Sequence, residues 1–334
     1  MRPRVAVAVP ENLRALFFTD ETWSRLESLA QLKVIEGDHR SVEVFRDLVS
    51  DCAAVVTAWA NPPLTREILD AAPELRLMAH TAASVKQYVT PDSWARGVRV
   101  TQAGQAMAPA VAEAALAHTL ALLHRLHRYD HALRAGKADW PTAKAAPPRR
   151  ELSCSIVGVV GASRTGRSYI GMVRALGAQV LVYDPYLSEA DASALGVEAV
   201  SLDTVMSRSR VVAVHAPVTP ETHHLIGARE LALMQDEAVL VNTARSWLVD
   251  QDALLAELRS GRIDAGLDVF DEEPLPLDHP YRSLPNVLLV PHEAGGTLDA
   301  RWRGGDIVVS ELAHWIAGEP LEHEVTADML DRMG

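Results

Sequence analysis

The sequence predicts an α/β protein with two doubly wound parallel sheets, and three observations predict it. The chain has 334 residues, and at about 150 residues per domain this length favours two domains. Short β-rich runs alternate with helical patterns, which is typical of parallel strands joined by helical crossovers. The alternation comes in two series, and a long apolar helical stretch separates them. We therefore expect two such sheets, each with helices on both faces.

The first series lies within about the first hundred residues and predicts one complete parallel sheet. Its expected strands are Val5–Val9, Lys33–Glu36, Ala53–Ala58, Leu75–His80 and Val98–Thr101. Its expected helices are Thr22–Ala30, Val42–Val49 and Thr65–Ala71. Helices between successive strands provide the crossover connections that parallel pairing requires.

The second series follows a long helix that we expect to begin at Pro109, because proline suits the first helical turn. Apolar residues recur at helical spacing from there to Leu123. The expected strands are Ser155–Val160, Gln179–Tyr183, Val211–His215, Ala238–Asn242, Ala265–Val269 and Val287–Val290. Six strands with helices between them is the count of a dinucleotide-binding domain. Further helices are expected at Asp250–Arg259, with Gly261 just past its end, and near Asp306–Ala317.

Composition excludes several classes of partner. Lys and Arg number 32 and Asp and Glu 44, which gives a formal net charge of −12. An acidic chain argues against nucleic-acid and anionic-membrane partners. The two cysteines, Cys52 and Cys154, cannot form a disulfide framework, which fits a reducing cytoplasm. The apolar stretch from Ala110 to Leu123 is expected to be too short to span a bilayer, and the N-terminal run predicts no signal peptide.

A phosphate-binding loop follows the strand that ends at Val160. Gly161, Ser163 and Gly166 occupy the positions of G-x-G-x-x-G, and a second strand ends in Asp184. Glycine allows the tight turn and the close approach of a pyrophosphate, which the N-terminus of the following helix attracts. Asp184 would accept hydrogen bonds from ribose hydroxyls and repel a 2′-phosphate, which favours NAD over NADP. Ser163 departs from the pattern, and a positive φ at this position would cost energy.

Five separated motifs stand in one order along the chain. They are VGVVGASRTGR with YDPY, HAPVTPETHHLIG, VNTARSWLVD, AGLDVFDEEPLP and NVLLVPHEAGGT. In these motifs the sequence resembles the D-isomer-specific 2-hydroxyacid dehydrogenase family over nearly the whole chain. The resemblance implies a flavodoxin-like substrate domain of residues 1–105 and 297–334 around a cleft. It also implies an inserted Rossmann NAD-binding domain of residues 106–296, whose first long helix forms a homodimer interface.

The resemblance places the family's catalytic residues on Arg245, Glu273 and His292. A guanidinium beside a strand end suits bidentate capture of a carboxylate, so Arg245 would orient a 2-keto acid. Imidazole titrates near neutrality and can give or take a proton, which suits His292. A carboxylate on the far ring nitrogen, here Glu273, fixes the tautomer. Arg245 and His292 would therefore bind substrate, and Glu273 would hold His292.

The resemblance also implies cofactor contacts along the same motifs. Arg164 and Thr165 would present their backbones to the pyrophosphate beside Gly161, Ser163 and Gly166. Asp268 would contact the nicotinamide carboxamide. The remaining residues that the resemblance places along the cofactor are Pro217, Thr222, Thr243, Ala244, Arg245, His292 and Gly295.

The loop expected to grip the substrate carboxylate departs most from the family pattern. The family commonly has G-x-G-V-D-N, whereas this chain has residues 82–87 as AASVKQ. Backbone N–H groups of Ala83, Ser84 and Val85 could still hold an anion. Lys86 either adds a positive charge for a more anionic substrate or is a solvated surface lysine, which is the commoner case.

Three further features have alternative interpretations. Trp247 either narrows the cleft or packs under it, and Glu293 either tunes His292 or points into solvent. His124, His127 and His131 share a helical face, which we interpret as a polar surface or a dimer contact, because no accompanying ligand completes a zinc pattern. We therefore expect no metal.

The predicted function is transfer of a hydride between NAD(H) and C2 of a small 2-hydroxy or 2-keto acid, in a cytoplasmic homodimer. The alternative is an NAD-sensing, corepressor-like binding module with little turnover. The Arg245, Glu273 and His292 set disfavours this alternative, because a sensor needs no acid/base pair. A phosphite- or formate-type dehydrogenase is weaker still, because phosphite oxidation in this family uses a lysine near the position of Ala83.

Overall fold

A computed structural model describes residues 2–134 and 147–332 of the chain. The chain divides into two compact units. One is formed by Met1–Met107 with Gly296–Met333, and the other by Ala108–Gly295. The first unit therefore contains segments from both chain ends, and the second is inserted in it.

The sheet of the first unit has five strands, all parallel, in the order β2-β1-β3-β4-β5. The strands are β1 (Arg4–Val7), β2 (Gln31–Val34), β3 (Ala54–Thr57), β4 (Leu77–His80) and β5 (Arg99–Gln102). This is the flavodoxin-like strand order, and it confirms the predicted fold class for this unit. The second predicted strand was placed two residues late, because Gln31 rather than Lys33 is the first residue that pairs with β1.

Helices cover both faces of this sheet. They are Arg14–Phe17, Asp20–Leu29, Val42–Val49, Arg66–Ala71, Pro91–Ala95 and Leu298–Ala317. Helix Asp20–Leu29 is capped by Thr19, whose hydroxyl accepts from the Thr22 N–H at 3.1 Å. Its buried face, Trp23 and Leu26, lies in one apolar cluster with Val308 of the C-terminal helix. Burial of this face against the sheet stabilises the layer.

The C-terminal helix begins at Leu298, eight residues before the predicted Asp306. Thr297 caps it, accepting from the Ala300 N–H at 3.1 Å. The glycines at 304 and 305 lowered the helical signal of this turn. In the structure they allow close packing, since a Cβ at Gly304 would come within 2.5 Å of the Thr81 carbonyl oxygen.

The second unit contains a seven-stranded parallel sheet in the order β12-β11-β10-β9-β6-β7-β8. Its strands are β6 (Ile156–Val160), β7 (Gln179–Tyr183), β8 (Glu198–Ala199), β9 (Val211–Val214), β10 (Val239–Asn242), β11 (Asp264–Leu267) and β12 (Val287–Leu289). The order is that of a Rossmann fold with one additional strand. All six predicted strands are present, but the count of six was wrong. The missed strand, β8, has two exposed residues and therefore no apolar run to reveal it.

Helices lie on both faces of this sheet as well. In the described part of the chain they are most of the long apolar helix Gly104–Leu123 and the helices Leu126–Arg134, Arg164–Ala175, Glu189–Leu195, Leu202–Arg208, Ala228–Leu233 and Gln251–Ser260. Apolar clusters fill the layers between helices and sheet on both sides. Gly261 ends the last of these helices at a φ of +75°, as the sequence indicated.

The long apolar helix runs from Gly104 to Leu123, so it begins five residues before Pro109. The Gln102 side chain accepts from the Gly104 N–H and supports the earlier start. With 20 residues, this helix extends beyond the predicted Ala110–Leu123 stretch, and it is long and apolar enough by length and composition alone to cross a membrane. Within this helix, 56% of the most apolar 18-residue segment is buried inside the protein. The core helix of a soluble protein can have the same length and apolar composition.

A buried ion cluster follows this helix, and it corrects the prediction for His127. The His127 side chain is 4% exposed, with Nε2 3.1 Å from Oδ2 of Asp264. Arg128 contacts the same carboxylate at 2.6 Å and Arg125 at 2.7 Å. Burial raises the pKa of Asp264, but hydrogen bonds from His127 and Arg128 outweigh it and lower the pKa to about 2. His127 therefore belongs to an internal network rather than to a polar surface.

Candidate active site

The candidate catalytic and cofactor residues of the second unit follow its strands at one edge. Parallel strands bring their carboxyl ends to the same edge of a sheet, which is where such folds bind ligands. Gly161 follows β6, Asp184 follows β7, and Thr243 follows β10. Asp268 directly follows β11. Gly161, Asp184, Thr243 and Asp268 thus share one edge of the sheet.

The phosphate-binding loop needs glycine at two positions for steric reasons. Gly161 has a φ of +97°, and a Cβ there would lie 2.5 Å from the Ala216 backbone nitrogen. A Cβ at Gly166 would overlap the carbonyl oxygen of Gly161. Both positions therefore require a residue without a side chain.

Ser163 corrects an expectation of the sequence analysis. Its φ is −62° and its ψ 177°, so the predicted cost of a positive φ at this position is absent. Ser163 is instead the N-cap of helix Arg164–Ala175, and its hydroxyl accepts from the Gly166 N–H at 3.3 Å. The amides of Arg164 and Thr165, the first two of the helix, have no intrahelical acceptor and are available to an anion.

Asp184 is fixed by two backbone donors. Its Oδ2 accepts from the Ala162 N–H at 2.7 Å and its Oδ1 from the Tyr186 N–H at 2.8 Å. An ionised carboxylate offers about four acceptor sites, so each oxygen can still accept a hydroxyl. Asp184 therefore ties the phosphate-binding loop to the end of β7 and remains able to bind a ribose.

Arg245 lies in a loop that Asn242 organises. The Asn242 side chain donates to the Arg245 carbonyl at 2.9 Å and accepts from the Ala244 N–H at 3.0 Å. Burial lowers the pKa of Arg245, while the charges of Glu273 and Asp268 oppose that shift. This role of Asn242 was not predicted from the sequence, where its only signal is a polar residue at the buried end of a strand.

Thr243 and Ala244 complete this loop. Thr243 is 4% exposed, and its hydroxyl oxygen is a buried atom with no hydrogen-bond partner among the described residues. A buried hydroxyl without a partner is costly. An additional acceptor or donor at this loop would satisfy it.

His292 and Glu273 form the pair that the motifs predicted. His292 Nδ1 lies 2.7 Å from Glu273 Oε2, and Glu273 Oε1 accepts from the Phe270 N–H at 3.0 Å. The carboxylate is thus held from the backbone on one side and holds the imidazole on the other. The imidazole Nε2 is left to exchange a proton with another group.

Asp268 holds the turn that carries His292. Its Oδ1 accepts from the Glu293 N–H at 2.9 Å and its Oδ2 from the Ala294 N–H at 3.1 Å. Burial raises the pKa of Asp268, and these two backbone hydrogen bonds oppose the shift. His292 itself has a φ of +56°, a conformation that costs about 1–3 kcal/mol in a residue other than glycine. The two hydrogen bonds help to maintain that conformation.

A family model supplies the assignment. The model described as the D-isomer specific 2-hydroxyacid dehydrogenase, NAD binding domain, matches residues 116–294. The chain belongs to this family. It is therefore an NAD-dependent oxidoreductase that acts on the CH–OH group of 2-hydroxy acids. The fold, the cofactor and the reaction class predicted from the sequence are confirmed, and the alternative of a sensor module is not favoured.

Individual relatives agree with the family. A glyoxylate reductase of Korarchaeum cryptofilum is 34% identical over 327 residues, which cover 96% of this chain and 94% of that protein. A D-3-phosphoglycerate dehydrogenase of Methanocaldococcus jannaschii is 31% identical over 90% of this chain, but this chain spans only 56% of that protein. The crystal structure of a phosphoglycerate oxidoreductase from Rhizobium etli has a TM-score of 0.76 at 30% identity, covering 97% of this chain and 99% of that one.

The segment after β9, which the sequence predicts to lie along the cofactor, is a compact turn. Thr222 donates from its hydroxyl to the Pro217 carbonyl at 2.8 Å and accepts from the Thr219 N–H at 2.8 Å. The Trp247 side chain packs on this turn, where its Nε1 donates to the Thr219 carbonyl at 3.2 Å. Of the two interpretations of Trp247, the structure of this unit favours packing over narrowing of the cleft. Glu293 is exposed, and its backbone N–H contacts Asp268.

The predicted substrate loop lies in the first unit, directly after β4. Val85 is buried in that unit's core, Ala83 and Ser84 are half-buried, and Lys86 is exposed. The Ala82 carbonyl accepts from the Ala103 N–H at 2.9 Å, which fixes the start of the loop.

A cavity of about 580 Å³ adjoins the His292–Glu273 pair within the second unit. Glu273 and His292 line it together with mostly apolar side chains such as Phe270, Leu275 and Leu289. Apolar walls lower the local dielectric and strengthen interactions between charges. Among the described residues there is no group of three His, Cys, Asp or Glu that could hold a metal ion. Gly295 follows Ala294 at the end of the His292 turn.

Proposed function

We propose that this chain reduces a small 2-keto acid with NADH, and oxidises the corresponding 2-hydroxy acid with NAD, through Arg245, His292 and Glu273. The observation that carries the proposal is the 2.7 Å contact between His292 Nδ1 and Glu273 Oε2. A histidine held in this way suits reversible proton transfer to a carbonyl oxygen. The bound cofactor supplies the hydride that moves to or from C2 of the acid.

The cofactor site fits NAD on the geometry of its own residues. Gly161 and Gly166 form a turn that a Cβ would block. The free amides of Arg164 and Thr165 suit a pyrophosphate. The Asp184 carboxylate suits two ribose hydroxyls and disfavours a 2′-phosphate. Ser163, Pro217, Thr222, Thr243, Ala244, Asp268, His292 and Gly295 are proposed as further cofactor residues.

The roles of the chain's own groups follow from charge and hydrogen bonding. Arg245, with its pKa lowered by burial, still presents a fork of N–H donors that matches a carboxylate. His292 donates a proton from Nε2 to the carbonyl oxygen during reduction and takes it back during oxidation. Glu273 stabilises the imidazolium that forms during oxidation and keeps the ring oriented.

The substrate domain is proposed to comprise residues 1–105 and 297–334, and the NAD-binding domain residues 106–296. Backbone N–H groups of Ala83, Ser84 and Val85 are proposed to hold the substrate carboxylate. Relatives named glyoxylate reductase and D-3-phosphoglycerate dehydrogenase make both a small and a phosphorylated acid reasonable substrates. The exposed Lys86 would favour an acid with an additional anionic group.

The chain is further proposed to act as a homodimer in the cytoplasm, without nucleic-acid or membrane partners. The net charge of −12 supports the exclusion of polyanionic partners. Both cysteines are free thiols, Cys52 buried and Cys154 exposed, which suits a reducing compartment.

A panel of 2-keto acids tests the proposal, with NADH oxidation as the readout. Glyoxylate, pyruvate, hydroxypyruvate and a phosphorylated 2-keto acid should include at least one substrate. Arg245→Ala should raise the KM for that acid and lower kcat, because the carboxylate loses its charged partner. Absence of turnover with every acid, together with tight NADH binding, would contradict the proposal.

A further inference from the structure

Trp247 is a partly exposed residue near Arg245 that has no role in the proposed reaction. It lies two residues after Arg245 in the loop after β10, and its side chain is 42% exposed. The turn of residues 217–224 follows β9, and β9 pairs directly with β10. The two loops are therefore neighbours at the edge of the sheet that carries the candidate site.

We propose that Trp247 is a positioning residue that holds the 217–224 turn in place for the cofactor. The inference rests on the proposed function, since the turn's contact with the cofactor is part of that proposal. Trp247 Nε1 donates to the Thr219 carbonyl at 3.2 Å. Its ring lies 4.0 Å, between centroids, from that of His223, which in turn stacks on His224 at 3.9 Å. One side chain thus contacts both ends of the turn.

Internal hydrogen bonds tie the turn together, and the Trp247 side chain anchors its Thr219 side. The Thr222 hydroxyl bonds to Pro217 and Thr219 inside the turn. The Thr222 N–H also donates to the Thr219 carbonyl at 3.1 Å. Loss of the Trp247 side chain therefore loosens the Thr219 side of the turn, whereas its far end stays tied to the Trp247 carbonyl through the His224 N–H.

The chain around Trp247 remains anchored without its side chain. The Trp247 carbonyl accepts from the His224 N–H at 2.9 Å, and Ile226 donates to Leu248 at 3.0 Å. Asn242 fixes Arg245 independently. Because the indole is also exposed, its removal leaves no core cavity, and variants at this position should fold. Variants of Trp247 therefore test the placement of the turn without disturbing the placement of Arg245.

Variants at Trp247 should lose affinity for the cofactor and keep their affinity for the substrate. Trp247→Phe keeps a ring and loses the N–H donor, and Trp247→Ala loses both. We expect Trp247→Phe to raise the Kd for NADH about five-fold, the ratio that corresponds to ~1 kcal/mol for one hydrogen bond. Trp247→Ala should raise it further. The KM for the 2-keto acid should change by less than about two-fold, because Arg245 keeps its support.

A titration of NADH fluorescence against the full-length wild type and variants tests this inference without any substrate. Its failure is therefore visible even if no acid is reduced. Trp94→Phe is a matched control, since Trp94 Nε1 also donates to a backbone carbonyl, that of Val325, at 3.3 Å in the other unit. Hydrogen exchange of the Thr219 and Thr222 amides, measured without cofactor, should be about five-fold faster in Trp247→Phe. Wild-type NADH affinity and wild-type exchange in both Trp247 variants would overturn the inference.

Discussion

The carboxylate of Glu273 contacts His292 with one oxygen and the backbone with the other. Oε2 lies 2.7 Å from His292 Nδ1, and Oε1 accepts from the Phe270 N–H at 3.0 Å. The backbone hydrogen bond fixes the direction in which the carboxylate meets the ring. The imidazole is thereby held with Nε2 available for proton transfer.

Glu273→Gln keeps the shape of the side chain and removes its charge. We expect kcat for keto-acid reduction to fall by about 100-fold, within the range for loss of acid/base function. The Kd for NADH should stay within about two-fold of the wild-type value. Glu272→Gln, a substitution at the exposed neighbour, is the control. An unchanged kcat in Glu273→Gln would show that the pair plays no part in proton transfer.

Substitutions at Gly161 and at Ser163 of the phosphate-binding loop should have different effects. Gly161→Ala should abolish NADH binding, because its Cβ would meet the Ala216 nitrogen at 2.5 Å. Ser163→Ala should lower the free energy of unfolding by about 1 kcal/mol through loss of the N-cap, and Ser163→Gly by a few tenths. Urea unfolding and NADH titration measure the two effects. Equal stability of Ser163→Ala and wild type would refute the capping role.

Asp184 should control the choice between the two nicotinamide cofactors. Asp184→Ser removes the negative charge that would repel a 2′-phosphate. The ratio of kcat/KM for NADPH to that for NADH should rise about ten-fold, or ~1.4 kcal/mol. Glu189→Ser, a change of an exposed residue in helix Glu189–Leu195, serves as the control for overall charge. A ratio equal to that of wild type would remove Asp184 from cofactor selection.

His80 should make the first unit less stable in acid. It is buried next to Thr57, and burial lowers its pKa from 6.5 to about 3. The unfolded chain therefore binds a proton on His80 at a higher pH than the folded chain does. The stabilisation is complete above pH 6.5 and is lost as the pH falls towards 3.

The size of this effect is about 1.4 kcal/mol per pH unit for one group. His80→Gln removes the titration, so its free energy of unfolding should fall less steeply between about pH 6 and 4. Urea unfolding at several pH values compares the two slopes. Equal slopes for wild type and variant would show that His80 does not titrate in this way.

Sequence reasoning reached the fold because hydrophobic pattern and local spacing determine it. The predicted strands were found, and the motifs placed His292 and Glu273 in one contact although 18 residues separate them in the chain. The pattern failed where an element lacks an apolar run, as at Glu198–Ala199. It also failed at Pro109, where the side chain of Gln102 supports an earlier helix start.

The supporting contacts of the site could not be predicted in the same way. Asn242 holds the Arg245 loop, and Asp268 holds the His292 turn, through side-chain to backbone hydrogen bonds. Such bonds depend on the path of the backbone, which a single sequence does not specify. His127 is a similar case, since its partner Asp264 lies far along the chain.

The most direct test of the account is the rate of NADH oxidation with a 2-keto acid panel, for wild type and His292→Ala side by side. The account predicts that the wild type reduces at least one acid. It predicts that His292→Ala still binds NADH but reduces that acid at least about 100-fold more slowly. A His292→Ala variant that turns over at the wild-type rate would show that His292 does not transfer the proton.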